Sequence, residues 1–421
     1  MIMSATSSIS AARGPSRVEF IILIAALMAL NALAIDVMLP ALPYMGEALG
    51  VANENERQLV VGVYMLGFGI AQLFFGPLTD RFGRRAPLLA GLAVYLICAF
   101  AATFAPSFGA LLALRFVQGL GAAGTRVIAV AVVRDRFSGR EMAEVMSLTF
   151  MIFMAIPILA PGIGQVILLT GPWHYIFIFM AGLALAISIW AFLRLPETLS
   201  EENRRPLSLK SIADGFRIVV TNRQALFYGL GGTFLFGAMF GFISASQQIF
   251  VELYGLGPWF PVAFAGMAGA IAVAQFINSR IVKTFGMRRI SHAAILIYIS
   301  AAAILLVLAL MGPVPFVVFF GLLVIVQWMF GWAASNMNSL SMEPLGKVAG
   351  TAASVFGFTQ TVGGALIGTY IGQHYDGTLV PNAAGYTVMG VLVLCCILIA
   401  EKGRLFGVSP EYQTAAKPAG R

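Results

Sequence analysis

Twelve apolar segments, each near the length that crosses a bilayer, constrain the fold of this chain more than any other feature. A transmembrane helix needs about 20 consecutive apolar residues, and the runs here are separated mainly by short polar gaps. Because the runs are continuous rather than alternating, they predict an all-α polytopic membrane protein with twelve transmembrane helices. The predicted segments are 19–44, 58–79, 86–105, 108–133, 142–170, 173–194, 224–253, 258–281, 289–312, 315–341, 346–374 and 384–402.

Composition supports the lipid bilayer as the main partner of the chain. Hydrophobic residues make up 59% of the sequence and charged residues only 10%, whereas soluble globular proteins carry about 25% charged residues. The net charge of +8 is typical of basic loops on one side of a membrane and does not indicate a nucleic-acid partner. Cys98, Cys395 and Cys396 all lie in apolar runs, so neither a disulfide framework nor a metal site is predicted.

The longest gap between apolar segments divides the chain into two halves. Residues 195–223 are rich in charge and read as a cytoplasmic linker, within which 207–220 has helical periodicity and is expected on the membrane surface. The predicted organisation is therefore a cytoplasmic tail, a six-helix bundle, the linker, a second six-helix bundle and a second tail. Their bounds are 1–18, 19–194, 195–223, 224–402 and 403–421.

The two halves repeat each other. The loop at 80–85 recurs at 283–289, with Phe82 and Gly83 aligned on Phe285 and Gly286, and an Ile-Gly-Gln triplet at 163–165 recurs at 371–373. Matches at corresponding places favour two pseudo-symmetric bundles, the organisation of transporters whose site lies between the bundles.

Lysine and arginine predict the orientation. With the N-terminus inside, all but three of the 26 Lys and Arg fall on the cytoplasmic side; the exceptions are Arg57 outside and Arg115 and Arg126 within a span. The positive-inside rule therefore predicts cytoplasmic N- and C-termini.

The loop from Gly76 to Arg85 reads G-P-L-T-D-R-F-G-R-R. A glycine-punctuated, charged decapeptide between two spans predicts a tight loop in the headgroup layer. The order G-x-L-x-D-R-x-G-R-R resembles the signature loop of the major facilitator superfamily. The resemblance implies that Gly76, Asp80, Gly83 and Arg84, with Arg134 of the next inner loop, form a conformational latch. Ordinary solvated loop charges are the alternative.

Asp36 is the carboxylate placed deep in a predicted span, with Asn31 five residues earlier. Ionisable residues in hydrocarbon are costly and usually functional, and burial favours the neutral acid over the carboxylate. Asp36 is therefore predicted to carry the coupled proton, and it could also bind a cationic substrate while ionised. Competition between proton and substrate for one group would give antiport. A purely structural carboxyl facing a polar crevice is the alternative.

The fourth span carries Arg115, Gln118 and Gly119, which resemble the family's R-x-x-Q-G motif. The resemblance implies that Arg115 assists proton transfer. Arg115 and Asp36 share a depth of about 11 Å from the predicted outer surface, so an ion pair between them is possible, although sequence does not give their lateral distance. Gln118 is a candidate substrate contact.

Arg126 lies eleven residues after Arg115, about three helical turns, so both point the same way. Two interpretations stay open for it. Its side chain could reach toward headgroups or a helix C-terminus, or it could be a second cationic group in the cavity, which would favour anionic or zwitterionic substrates.

The fifth span carries Pro157, Pro161 and Gly164, which predict a helix bend. The stretch resembles the family's antiporter motif, with Ala160 and Gln165 in place of two glycines. Together with 35–43 of the first span, it resembles the bicyclomycin and chloramphenicol resistance branch of drug:proton antiporters.

The remaining candidate cavity residues are polar, aromatic or flexible side chains that could form an amphipathic wall. Packing is the alternative for each of them. They are Met154, Phe236, Phe240, Gln247, Trp328, Trp332 and Asn336.

The function that these features favour is proton-coupled efflux of lipophilic drug-like small molecules by alternating access. The proton gradient is expected to drive it, with no cofactor. A proton-coupled transporter of a metabolite or peptide on the same fold is the alternative. No catalytic motif indicates an enzyme. The resemblance implies a monomer in the bacterial inner membrane.

Overall fold

The structure is a computed structural model that describes residues 15–204 and 209–407. Residues 1–14, 205–208 and 408–421 lie outside the described part. Most of both predicted tails and the start of the predicted linker helix therefore fall outside it.

The described chain is built from helices joined by short loops. The first half holds α1 (Arg17–Asp36), α2 (Leu42–Ala48), α3 (Leu59–Phe82), α4 (Arg85–Ala102), α5 (Phe108–Arg136), α6 (Gly139–Thr170) and α7 (His174–Arg194). The linker holds α8 (Leu209–Thr221). The second half holds α9 (Arg223–Gln247), α10 (Phe260–Phe285), α11 (Met287–Met311), α12 (Phe316–Met342), α13 (Ala349–Phe358), α14 (Gly364–Gln373) and α15 (Val380–Ala400).

Eleven helical segments of the described part are long and apolar enough to cross a membrane. The twelfth spanning element is α13 and α14 joined through a π-helical turn, Thr359–Gly363. This element contains more Gly, Thr and Gln than its neighbours, and the π turn interrupts its regular hydrogen-bond ladder. The twelve predicted spans are thus all helical, but the first, the seventh and the eleventh are not single uninterrupted α-helices; the seventh ends in a π-helical turn, Gln248–Leu253.

Close approach of glycines holds α3, α4 and α5 together. A Cβ atom built on Gly67 would lie 2.1 Å from the Phe116 carbonyl oxygen, and one on Gly119 would lie 2.1 Å from that of Tyr64. A Cβ atom built on Gly121 would likewise lie 2.5 Å from the Gly91 carbonyl oxygen of α4. Small residues allow membrane helices to pack backbone to backbone, where dispersion contacts supply the attraction.

A second set of glycines on α3 faces the other bundle. Gly62, Gly69 and Gly76 recur every seven residues, so they share one face of the helix. Cβ atoms built there would lie 2.6 Å from the Thr369 side chain, 2.6 Å from that of Val362 and 3.4 Å from that of Ser354. The two bundles therefore meet along most of α3.

The bundles are also tied together on one face of the molecule by polar side chains, here called the clasp. Arg57 pairs with Glu252, and Gln58 donates to Gln248. Asn55 receives a hydrogen bond from Gln248 at 2.8 Å and donates to the Tyr375 carbonyl at 2.7 Å. The face that carries the clasp is opposite the one that carries the loop at 80–85.

The internal repeat is visible in the backbone. Gly83 ends α3 with φ 86°, and Gly286 ends α10 with φ 80°. Both values lie in the region that glycine adopts without steric cost. The two loops that match in sequence therefore make the same turn at the same place in each bundle.

The linker helix α8 packs against α13. Val219 is buried with Val355 and Phe356, and a Cβ atom built on Gly215 would lie 2.4 Å from the Thr351 side chain. At least one face of the predicted surface helix is therefore covered by the second bundle.

Candidate functional site

Asp36 lies at a break in the first spanning element. Pro40 has no N–H to donate to the carbonyl of Asp36, so the α-helix cannot continue through this point. The chain instead forms a short 3₁₀ turn, Leu39–Ala41, and then α2. The Asp36 residue is only 5% exposed, and among the described residues its carboxyl group has neither a hydrogen bond nor an ion pair. Asp36 is thus an isolated acid in the protein interior.

The break beside Asp36 is covered by α6. A Cβ atom built on Gly164 would lie 1.9 Å from the Val37 carbonyl oxygen and 3.1 Å from the Pro40 ring. Only a glycine permits this approach, because any side chain would overlap the backbone of the break. Pro157 and Pro161 lie earlier in the same continuous helix. The predicted bend motif therefore contacts the segment that carries Asp36.

Arg115 is fully buried and joins three helices. Its Nη2 donates to the Ala34 carbonyl at 2.8 Å, its Nε to the Val60 carbonyl at 3.2 Å, and its Nη1 to Gln118 at 2.7 Å. The guanidinium also lies 4.2 Å from the centre of the Tyr64 ring, a cation–π distance. The ion pair with Asp36 that the shared depth left open is not formed. Backbone carbonyls hold Arg115 instead.

Tyr64 connects Arg115 to Asn31. Its hydroxyl donates to the Asn31 side-chain oxygen at 2.9 Å, under the guanidinium that stacks on its ring. Three predicted site residues, Asn31, Arg115 and Gln118, are thereby brought together at the contact of α1, α3 and α5. Sequence reasoning missed Tyr64, because a single tyrosine in an apolar run belongs to no motif.

Arg126 has quite different surroundings from Arg115. Its side chain is exposed, although most of its neighbours on α5 are buried, as expected for a residue that lines a crevice. It has no hydrogen bond or ion pair within the described part of the chain. Arg126, Val130 and Arg134 are spaced four residues apart and share one face of α5. This face looks toward the second bundle, because an Arg134 nitrogen lies 3.6 Å from the position of a Cβ on Gly350.

The predicted cavity residues of the second bundle fall into two groups. The rings of Phe236 and Phe240 are 6.0 Å apart and those of Trp328 and Trp332 are 6.4 Å apart, and all four side chains are partly buried. Met154 of α6 is also partly buried.

Gln247 and Asn336 form the second group and are almost completely buried. Asn336 donates to Asn278 at 2.8 Å and so joins α12 to α10. In this conformation these two side chains are occupied with packing and have little contact with solvent.

The loop at 80–85 is a network of charges within the first bundle. Arg84 pairs with Asp80 at 2.6 Å and with Asp135 at 2.8 Å. Burial opposes the charge on Arg84, but the hydrogen bonds that its guanidinium donates to these two carboxylates raise its pKa above the ordinary value. Gly76 and Arg134 of the predicted latch approach α13, whereas the charge pairs join elements of the first bundle alone.

Glu197 completes this network from the start of the linker. Its carboxylate accepts the backbone N–H groups of Arg84 and Arg85 at 2.8 and 3.1 Å. A Cβ atom built on Gly83 would lie 2.4 Å from the same carboxylate, so glycine is required there by space as well as by its positive φ. The sequence placed Glu197 in the linker with no role, because its partners lie more than 110 residues away.

Comparison with known proteins identifies the family. The profile of the Major Facilitator Superfamily matches residues 24–369. The chain belongs to this superfamily. It is therefore a multi-pass membrane transporter of small molecules and not an enzyme.

Two relatives of this superfamily member carry resistance names. It is 30% identical over 384 residues to a bicyclomycin resistance protein homolog of Haemophilus influenzae, covering 90% of this chain and 94% of the relative. It is 28% identical over 391 residues to the multidrug resistance protein MdtL of Escherichia coli, covering 90% and 93%.

Solved structures support the fold. A bacterial homolog of the human lysosomal transporter Spinster, inward-facing and unoccupied, superposes with a TM-score of 0.71 at 14% identity, covering 94% of this chain and 99% of that one. The human organic anion transporter MFSD10 superposes with a TM-score of 0.64 at 18% identity, covering 92% and 100%. At these identities the likeness concerns the fold alone.

The second half of this Major Facilitator chain has its own charge network, which sequence reasoning did not find. Arg288 pairs with Glu401 at 2.8 Å and with Glu343 at 3.1 Å. Tyr228 donates to the same Glu401 at 2.8 Å and lies 3.0 Å from a ring nitrogen of His292. Glu401 directly follows the last helix of its half, near the position that Glu197 has in the first half. The two halves therefore resemble each other in the charge networks beside the turns at Gly83 and Gly286 as well as in the turns themselves.

Proposed function

We propose that this transporter exports lipophilic drug-like small molecules by alternating access, in exchange for protons that bind to Asp36. The observation that carries the proposal is the isolation of the Asp36 carboxyl at the break between α1 and α2. Burial without a partner favours the neutral acid, so Asp36 is suited to pick up a proton on one side of the membrane. Release follows when the crevice opens to the less acidic side.

Arg115 is proposed to position the break and not to carry the proton. Its bond to the Ala34 carbonyl holds the last turn of α1 two residues before Asp36. Each proton that enters down 100 mV supplies about 2.3 kcal/mol, which can drive accumulation without ATP.

The resistance names of the relatives support drug-like substrates. We further propose a bacterial plasma-membrane location with the latch face and both termini in the cytoplasm, and function as a monomer. The bundles 19–194 and 224–402 would move against each other about the glycine face of α3.

Proton flux in proteoliposomes tests the function. Purified protein under an imposed pH gradient is given bicyclomycin and a panel of cationic, neutral and anionic drugs, and internal pH is followed with a trapped dye. Wild type should release protons on addition of a transported drug, and Asp36→Asn should not. Asp214→Asn is the matched control, because Asp214 is an exposed carboxylate of α8.

Substrate-linked flux that persists in Asp36→Asn would exclude Asp36 as the proton carrier. A response to a metabolite or peptide and to none of the drugs would replace efflux with the alternative function.

A further inference from the structure

We propose that Arg126 is a substrate-binding residue and that the transported molecules carry an oxyanion, such as a carboxylate, beside an apolar body. This inference rests on the proposed function and specifies the substrate class of that same site. It assigns different roles to the two arginines of α5 that lie within the membrane.

The position of Arg126 is the first argument. The face of α5 that holds Arg126, Val130 and Arg134 is exposed along its length and reaches Gly350 of the other bundle. Arg126 lies ten residues before the end of α5, which is about 15 Å along the axis. Residue 126 therefore lies well inside the span, on the exposed face of α5 that reaches the other bundle, and its side chain is accessible to a solute.

The absence of an acceptor is the second argument. A guanidinium has five N–H donors and no acceptor, and an unpaired charge inside a protein is costly. Arg115 donates three hydrogen bonds, to two carbonyls and to Gln118. Arg126 has no such partner within residues 15–204 and 209–407. Its donors are thus available to a ligand in the crevice.

Charge and shape then specify the ligand. The planar guanidinium matches a carboxylate with two parallel hydrogen bonds, and its fixed positive charge repels a cation. Val130, one turn away on the same face, is 38% exposed and offers apolar contact. A molecule with an oxyanion next to an apolar ring fits both groups.

Equilibrium binding on the purified full-length protein tests the site. The probes are 2-naphthoate, 2-naphthamide and 2-naphthylmethylammonium, which share one aromatic body and differ in charge. Dissociation constants are measured by calorimetry for wild type, Arg126→Gln, Arg126→Lys and Arg280→Gln. Arg280 is the matched control, because it is exposed on α10 and stacks on Phe276.

Wild type should bind 2-naphthoate most tightly. In Arg126→Gln the dissociation constant for 2-naphthoate should rise about tenfold to hundredfold, as expected for loss of a charged hydrogen bond. The affinity for 2-naphthamide should stay unchanged, which also shows that the variant is folded. Arg126→Lys should keep part of the preference, and Arg280→Gln should bind as wild type does. Equal affinity for the three probes, no binding by wild type, or an unchanged Arg126→Gln affinity for 2-naphthoate would overturn the assignment.

Transport of the same probes separates this inference from the proposed function. Export of a monoanion against one entering proton moves two charges, whereas export of a cation moves none. The accumulation ratio of 2-naphthoate at a potential set with valinomycin should therefore change about a hundredfold for every 59 mV. Binding that depends on Arg126 without any proton-linked transport would leave the site standing and refute antiport. Proton-linked transport of all three probes at equal rates, in wild type and in Arg126→Gln alike, would refute the anion site and leave antiport standing.

Discussion

Two arginines on one helix show how surroundings decide what a residue does. Arg115 is fully buried and held by carbonyls of Ala34 and Val60, whereas Arg126 is exposed to the crevice and unpartnered in the described chain. Both belong to the same face of α5 by their spacing. The first therefore fixes the structure around Asp36, and the second is available to a ligand.

Replacing Arg115 by lysine should reduce stability, although the charge is kept. A lysine ammonium lacks the planar fork that reaches two carbonyls and Gln118 together. We expect a loss of about 1–3 kcal/mol, with lowered proton-coupled transport. Thermal unfolding in detergent measures the loss, and Arg280→Lys is the control at an exposed site. An Arg115→Lys protein as stable as wild type would contradict the role given to these hydrogen bonds.

Glu197 should make the latch network sensitive to acid. Burial by itself would raise the pKa of its carboxyl, but backbone N–H groups of Arg84, Leu199, Arg85 and Thr198 donate to it, and the pKa lies below the ordinary value. A lowered folded-state pKa adds stability that is complete above the unfolded-state pKa and is lost as pH falls through the folded-state value.

The melting temperature of wild type should therefore exceed that of Glu197→Gln at about pH 7, and the difference should shrink toward about pH 3. Glu202→Gln, at an exposed position of the same linker, should melt as wild type does at each pH. A difference between wild type and Glu197→Gln that stays constant with pH would refute the assignment.

At the scale of elements, the contact between α6 and the break after α1 depends on one missing side chain. Gly164→Ala would place a methyl group 1.9 Å from the Val37 carbonyl oxygen, so α6 must move away from Asp36. Overpacking of this kind costs about 1–3 kcal/mol, and we expect transport to fall with it. Substrate-driven proton flux and thermal unfolding are the measurements.

Gly162→Ala provides the matched control on the same turn of α6. Nothing lies within 4 Å of a Cβ built there, so this variant should keep both stability and transport. If Gly162→Ala and Gly164→Ala have the same stability and the same proton flux, the close contact of Gly164 with the break is not needed for transport.

At the scale of the molecule, the clasp must open before the crevice between the bundles can reach the side of the membrane on which the clasp lies. Arg57 pairs across the bundles with Glu252 and within its own bundle with Glu54 at 3.5 Å. The Glu54 side chain is 72% exposed, and exposed pairs contribute little. Glu252→Gln should therefore loosen the clasp, and Glu54→Gln should not.

Spin labels at Ala48→Cys and Asp376→Cys, in a protein without its three native cysteines, report the opening. Both positions are exposed and belong to different bundles. The distance distribution should extend to larger values in Glu252→Gln and match wild type in Glu54→Gln. Distributions that do not respond to either change would show that the clasp does not hold the bundles together.

Much of the architecture was predictable, because the bilayer acts on each segment separately. In hydrocarbon, every backbone N–H and C=O group must form its hydrogen bond within its own segment. An apolar run of sufficient length therefore becomes a helix, whatever it packs against. The twelve spans and the turn at Gly83 were accordingly predicted, as was the repeated turn at Gly286. The family resemblance was also confirmed, since its motif is contiguous in the chain.

The tertiary structure decided the pairings, because they join residues that are distant in sequence. The shared depth of Asp36 and Arg115 was compatible with an ion pair between them. Packing instead placed the carbonyls of Ala34 and Val60 around Arg115. Spacing left two interpretations of Arg126 open, and the proposal made for it rests on its exposure on the face of α5 where Arg134 reaches the second bundle. Sequence by itself thus determined which segments cross the membrane and which charges they carry. Only the packing of helix against helix determined which of those charges are neutralised, since that depends on lateral neighbours that no local pattern encodes.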